Sequence, residues 1–134
     1  MRARSSTKHP TDLARRFLEL ADRDVKVFKK LVPDSEIDDA VIGFHAQQAV
    51  EKCLKAVLAR HEVVVRKVHD LHALMDLLAE HRLPVPSMRK EIIELNPFAV
   101  ILRYELAETE PLDRSLTKTI LEAVRRWAEE CVSK

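Results

Sequence analysis

The stretch that decides the fold runs from Ile37 to His61 and reads IDDAVIGFHAQQAVEKCLKAVLARH. Its apolar residues recur at steps of three and four, which is the spacing of an amphipathic α-helix. A helix of about 25 residues would be about 37 Å long, enough to span a small domain. We therefore predict that a helix near residues 37–62 organises the rest of the chain.

Helical periodicity also marks the segments on both sides of this stretch. Apolar spacing predicts a helix over 10–31 and a last helix over 116–131. A third helix opens near Asp70, and a fourth, over 88–102, is interrupted at Pro97 because an interior proline loses a hydrogen bond and clashes with the preceding turn. Five helices joined by short links predict an all-α, up-and-down antiparallel bundle.

The composition agrees with a helical domain. The 134 residues include one glycine, 4% aromatic residues and 34% charged residues, a balance that favours helices over strands. The formal net charge of +1 gives no global field that would attract nucleic acid or an anionic membrane. The sequence contains no internal repeat and no glycine-rich phosphate loop, so a binding function must come from local groups.

The domain organisation is simple. Residues 1–10 are polar and unpatterned and are predicted to form a flexible tail, whereas 11–134 are predicted to form one helical domain. Because the sequence has neither a secretion signal nor a run of 18 apolar residues, we expect a cytoplasmic protein that does not contact a membrane. Cys53 and Cys131 are too few for a zinc site or a disulfide framework, and no metal or other cofactor is predicted.

Four polar residues of the organising helix fall on one strip. Gln48, Glu51, Lys52 and Lys55 stand at positions i, i+3, i+4 and i+7, which share one side of a helix. This polar strip is the first candidate binding surface. The alternative is a solvated face, stabilised by a Glu51–Lys55 pair worth about 0.3 kcal/mol.

The second candidate surface lies where a loop enters the third helix. Residues 66–72 read RKVHDLH and bring cations and imidazoles, with His69 and Asp70 as the candidate residues, to a helix N-terminus that attracts anions. The alternative is ordinary capping by Asp70. His69, His72 and Asp76 would share one helix side, but without a cysteine or an H-E-x-x-H motif they do not predict a metal site.

The third candidate is the pair Arg103 and Tyr104. Arginine binds phosphate through a planar fork, and tyrosine stacks on a base or donates a hydrogen bond to it. The alternative is a tyrosine at the edge of the core with a salt bridge beside it.

Together these segments resemble a known family. The run FHAQQAVEKCLKAVL at 44–58, the HDL at 69–71 and Arg103-Tyr104 resemble the HEPN family, the higher eukaryotes and prokaryotes nucleotide-binding domain. The resemblance covers about residues 11–131 and follows the small stand-alone prokaryotic branch. It implies a homodimeric bundle of five helices, often encoded beside a minimal nucleotidyltransferase with which it forms a toxin–antitoxin-like pair.

The sequence departs from the family in one motif. Many relatives are metal-independent ribonucleases with an R-x4-6-H motif, in which arginine steadies the phosphate and histidine moves the proton. No histidine follows Arg103 within six residues. Arg66-x5-His72 has the right interval, but it lies at the start of the third helix and is interpreted as a coincidence.

The missing motif leaves the catalytic residues unknown, with His69 and Arg103 as weak candidates. The resemblance therefore favours a nucleotide- or RNA-binding or regulatory partner of a nucleotidyltransferase over an enzyme. In that role Gln48, Glu51 and Lys55 offer hydrogen bonds and charge beside His69. Two alternatives stay open: a ribonuclease toxin that pairs Arg66 or Arg103 with His69 or His72, and a structural dimerisation scaffold.

Overall fold

A computed structural model describes residues 9–65, 67–100 and 111–134. The described residues form helices joined by loops, with no strand among them, which confirms the predicted all-α fold of five helices. These are α1 (Pro10–Leu31), α2 (Asp39–Arg60), α3 (Leu71–Glu80), α4 (Arg89–Ile93) and α5 (Arg114–Ser133), with a 3-10 helix at Asn96–Ala99. No helix of this described part is both long enough and apolar enough to cross a membrane.

The predicted break near Pro97 is confirmed. The fourth helix stops at Ile93, and the chain restarts as the 3-10 helix, with Pro97 in its first turn. This position suits proline because the missing N–H would have no partner there. The continuation predicted through Leu102 lies outside the described residues.

Helix α2 forms the centre of the core. Every one of its residues is buried or half-buried, since α1, α3, α5 and the 3-10 helix all pack against it. Small side chains allow this close approach, among them Ala46, Ala49 and Ala56. Burial raises the pKa of the Cys53 thiol to about 12, so this residue is a protonated, apolar part of the core.

Gly43, the chain's one glycine, lies where α2 meets the 3-10 helix. A Cβ atom added there would overlap the ring of the buried Phe98 in the 3-10 helix. Glycine costs helix stability, so its place in mid-helix is explained by the room it leaves for that ring. The contact fixes the 3-10 helix against α2.

Side chains also fix the helix ends. His9 accepts the Thr11 N–H and caps α1 just before Pro10, and Asp113 caps α5 in the same way. The Arg114 guanidinium binds the Asp39 carboxylate and also donates to the carbonyls of Val32, Asp34 and Ile37. One half-buried guanidinium thus holds the α1–α2 loop to the start of α5.

Ion pairs join α1 to α5 along their exposed edge. The Arg15 guanidinium lies 2.6 Å from the Glu129 carboxylate, and Arg125 binds Asp22 at 2.7 Å. The pKa of Glu129 is lowered to about 2, first by the hydrogen bond from the Ser133 hydroxyl and then by that from Arg15. Glu129 is therefore ionised through most of the acid range.

Replacement of Gly43 tests the contact with Phe98. In an open helix Gly→Ala would stabilise by about 1 kcal/mol. Here we expect Gly43→Ala to lower the free energy of unfolding by about 1–3 kcal/mol through overlap with the ring, as measured by urea denaturation. In a Phe98→Leu background the same change should cost less, because the smaller side chain leaves room. A stabilised Gly43→Ala protein would contradict the packing.

The lowered pKa of Glu129 predicts how the stability of the protein changes with pH. A carboxylate whose pKa falls on folding stabilises the protein above its unfolded value, here 4.5, and this contribution is lost as pH falls toward 2. Glu129→Gln should therefore flatten the decline of unfolding free energy between those pH values. At pH 7 the loss should be about 0.5 kcal/mol at most, because exposed pairs are screened by solvent.

The matched control is Glu130→Gln, since Glu130 is exposed and forms no ion pair with any described residue. Its acid unfolding curve should follow that of the unmodified protein. Identical curves for both variants would show that the ionisation of Glu129 does not couple to folding.

Candidate functional site

A buried carboxylate organises the polar face of α2. The Glu51 side chain is 5% exposed. One of its oxygens, Oε1, accepts a hydrogen bond from Gln47 Nε2 at 3.2 Å. The other oxygen, Oε2, lies 3.0 Å from Lys55 Nζ and 2.9 Å from His69 Nδ1. Three side chains therefore compensate one buried charge, as such a charge requires.

This network contradicts the alternative of a solvated face. Lys55 is 9% exposed, so the Glu51–Lys55 pair is buried. Loss of either partner would leave the other charge buried and unpaired, which costs far more stability than loss of an exposed helix pair. Gln48 is half-buried and donates to Gln47 Oε1 at 2.7 Å, which adds it to the same network. Lys52, the fourth residue of the polar strip, instead reaches Asp24 of α1, which also pairs with His45.

His69 joins the buried network to the surface. Its main-chain carbonyl accepts from Gln47 Nε2 at 3.1 Å, and its Nδ1 faces Glu51, yet its side chain is 62% exposed. Because an ionised carboxylate cannot donate, Nδ1 must carry the proton of this hydrogen bond. In the neutral ring Nε2 is then the acceptor, and Glu51 is the one described group bonded to the imidazole.

The start of α3 is fully capped. Asp70 accepts the N–H groups of His72 and Ala73, while Asn96 accepts the N–H of Leu71 and donates to Asp70. These bonds match the capping alternative. They also occupy the amides that an anion would need at this helix N-terminus, so the geometry gives no support to a phosphate site of that kind.

A cleft opens beside this network. It has a volume of ≈ 470 Å³ and is lined by Gln48, His69, Asp70, Asn96, Ala99 and Val100. We call it the His69 cleft. The fold thus brings five predicted residues to one place: Gln48, His69 and Asp70 line the cleft, and Glu51 and Lys55 are bonded to His69 or to each other.

Other sequence candidates lie elsewhere. His72 pairs with Asp76, which Arg89 also binds, so His72 is not part of the cleft lining. In the parts of the chain described here, no group of three or more His, Cys, Asp or Glu side chains is arranged to hold a metal ion. Arg66, Arg103 and Tyr104 lie outside the described residues, so their assignments stay predictions.

Two residues of the site, Gln47 and Asn96, are not among the predicted ones. Gln47 precedes the polar strip by one position, yet it is fully buried and bonds both Glu51 and the His69 carbonyl. Asn96 stands beside Pro97, where the sequence predicts only a break in the helix. Their side-chain chemistry could have indicated them. A carboxamide both donates and accepts hydrogen bonds, so a glutamine or asparagine next to a predicted core needs partners there.

Comparison with known proteins agrees with this architecture. The family model of the HEPN domain matches residues 14–134, so the chain belongs to the HEPN family. A protein of Methanocaldococcus jannaschii named "Putative toxin MJ1304" is 28% identical over 126 residues, which cover 89% of this chain and 78% of that protein. No solved structure gives a significant match.

Removal of the Lys55 charge tests the buried network. Lys55→Met keeps the length of the side chain but leaves the Glu51 carboxylate buried with His69 and Gln47 as its remaining partners. We expect the free energy of unfolding to fall by about 3 kcal/mol, as measured by denaturant titration.

Lys29→Met is the matched control, because Lys29 pairs with Glu122 while both side chains are about half exposed. Its cost should be about 1 kcal/mol. The double variant Glu51→Leu/Lys55→Met should cost less than the sum of its single changes. Equal losses of unfolding free energy in the two lysine variants would contradict the conclusion that Lys55 compensates a buried charge on Glu51.

Proposed function

We propose that this HEPN protein binds RNA or a nucleotide in the His69 cleft and acts in a toxin–antitoxin-like pair with a minimal nucleotidyltransferase. The observation that carries the proposal is the convergence of Gln48, His69 and Asp70 on one cleft, above the buried Glu51–Lys55 pair. A packed helix bundle does not need such a cluster for stability, since apolar side chains in these positions would serve as well.

The chemistry of the cleft suits a nucleotide. Its volume falls within the range of about 300–1,000 Å³ that is usual for small-ligand sites. Gln48 and Asn96 each use part of their carboxamide within the protein. The hydrogen-bonding positions that remain match the donors and acceptors of base edges, and Asp70 can accept from a ribose hydroxyl. The described lining holds one imidazole and neither lysine nor arginine, which favours contacts to base and sugar. Arg103 and Tyr104 remain the proposed phosphate and stacking residues.

The partner proposal has separate support. The relative from Methanocaldococcus jannaschii carries the word toxin in its name and aligns with most of both chains. The HEPN resemblance implies a homodimer and a nucleotidyltransferase encoded nearby. Co-expression with such a neighbouring product should give a complex that survives affinity purification, and separate elution of the two proteins would remove this part of the proposal.

A ribonuclease activity is the second candidate, because one observation favours it. Cleavage without a metal needs a positioned proton acceptor, and His69 lines the cleft while its Nδ1 is held by Glu51. This histidine differs in position from that of the family motif, which the sequence lacks after Arg103.

Binding is tested with the full chain and fluorescently labelled single-stranded RNA, followed by anisotropy, with mononucleotides as competitors. Gln48→Ala and His69→Ala should each weaken binding about tenfold, the effect of losing about 1.4 kcal/mol of hydrogen bonding. His81→Ala is the control, since His81 is exposed and is not part of the cleft lining. Unchanged affinity in all three variants, or no binding to any probe, would refute the proposed function.

A further inference from the structure

The side-chain amide of Gln47 can take only one orientation. Its Nε2 lies 3.2 Å from Glu51 Oε1 and 3.1 Å from the main-chain carbonyl of His69, and both of these oxygens are acceptors. A carboxamide nitrogen donates through two N–H groups whereas the oxygen only accepts, so the nitrogen must face this pair. Because Gln47 is fully buried, a reversed amide would set its oxygen against two acceptors with no water to separate them.

Gln47 in turn orients the amide of Gln48. Its remaining atom, Oε1, lies 2.7 Å from Gln48 Nε2, and an oxygen that only accepts needs the nitrogen of Gln48 there. No described residue donates to the other atom of that amide, Gln48 Oε1. In the part of the chain that the structure describes, the one buried side-chain N or O atom without a partner is Trp127 Nε1. Because Gln48 is half-buried and its Oε1 is not such an atom, this oxygen is open to solvent.

Asp70 and Asn96 add to the acceptors of the same lining. Asn96 Oδ1 accepts the N–H of Leu71, so its Nδ2 is the atom that donates to Asp70 Oδ1. That carboxylate oxygen also accepts the N–H groups of His72 and Ala73. Asp70 Oδ2 is left without a donor from the described residues. The His69 cleft therefore offers a ligand more side-chain acceptors than donors, together with one carboxylate charge.

We propose that Gln48 determines base specificity in the His69 cleft, where its Oε1 accepts a hydrogen bond from the exocyclic amino group of adenine or cytosine. The inference rests on the proposed binding of RNA or a nucleotide at this site. Uracil and hypoxanthine carry a carbonyl oxygen in place of that amino group, and its lone pairs would face those of Gln48 Oε1. The charge of Asp70 acts in the same direction, because it attracts an amino group and repels a carbonyl oxygen.

Gln47 is the positioning residue of this arrangement. A glutamine amide that rotates freely offers its N–H groups to a carbonyl as readily as its oxygen to an amino group, so it does not distinguish cytosine from uracil. Rotation of the Gln48 amide would place its oxygen 2.7 Å from that of Gln47, which the buried Glu51 holds in place. The buried carboxylate thus fixes, through two amides, which atom a base can reach.

The test compares the affinity of the full chain for two fluorescently labelled RNA strands of equal length, one of cytidine only and one of uridine only. The strands carry the same backbone charge, so a difference in Kd reports the base. We expect the cytidine strand to bind about tenfold tighter, the usual worth of one hydrogen bond. Adenosine monophosphate should likewise compete better than inosine monophosphate, by about the same factor, since inosine lacks the amino group.

Two variants separate specificity from structure. Gln48→Met keeps the length of the side chain but removes the amide, so the preference for cytidine should disappear, chiefly because the cytidine strand binds more weakly. Gln47→Met lets the Gln48 amide rotate, so the preference should decrease while the uridine strand binds at least as well as before. A merely structural role of Gln47 would weaken both strands equally.

The control is His81→Ala, which should keep the full preference because His81 is exposed and is not part of the cleft lining. Circular dichroism checks that each variant is folded. If Gln47→Met does not fold, the comparison of the two strands in the unmodified protein and in Gln48→Met decides the matter.

The outcomes separate this inference from the proposed function. Equal affinity of the unmodified protein for both strands, or a preference for uridine, would overturn the inference and leave the binding function standing. A preference for cytidine that persists in folded Gln48→Met would overturn the role given to Gln48. Absence of binding to any RNA or mononucleotide would defeat both proposals.

Discussion

The burial of α2 on every side is the constraint on which the rest of the structure depends. A charged side chain on a helix that no longer faces water must find its compensation inside the protein, because transfer of an isolated ion into the interior costs several kcal/mol. Two carboxylates meet this demand. Asp24 of α1 binds Lys52 and His45 of α2, and Glu51 of α2 binds Lys55 together with His69 from the loop before α3. Both α1 and that loop are thereby tied to α2 by charge as well as by apolar packing.

The geometry of the cleft depends in turn on a contact within the core. The absence of a side chain at Gly43 lets Phe98 lie against α2, and Phe98 belongs to the same 3-10 helix as Asn96. Asn96 then bonds Asp70 and the first amide of α3, the helix that follows the loop containing His69. A series of packed and hydrogen-bonded groups therefore connects the centre of α2 to the cleft. The position of the cleft residues thus depends on the packing of the core.

The sequence was sufficient for the helices and for part of the site. Apolar periodicity located α1, α2 and α5 within about two residues at most ends, and Pro97 marked the break before the 3-10 helix. Spacing also placed Gln48, Glu51 and Lys55 on one strip. It could not tell that Glu51 and Lys55 are buried, because burial of that face depends on elements distant in sequence. The bond between Glu51 and His69 likewise spans a loop whose path no local pattern specifies.

The two carboxylate clusters show why a list of residue types does not define a site. Each contains one buried carboxylate, one lysine and one histidine, and each joins α2 to another part of the chain. They differ in what the histidine faces. His45 lies between helices, with its ring 5.3 Å from that of Phe44, whereas most of the His69 ring is exposed and borders a polar cleft. The ion pairs of Asp24 therefore stabilise the packing of the bundle. Those of Glu51 do the same and also orient the His69 imidazole, which solvent or a ligand can reach.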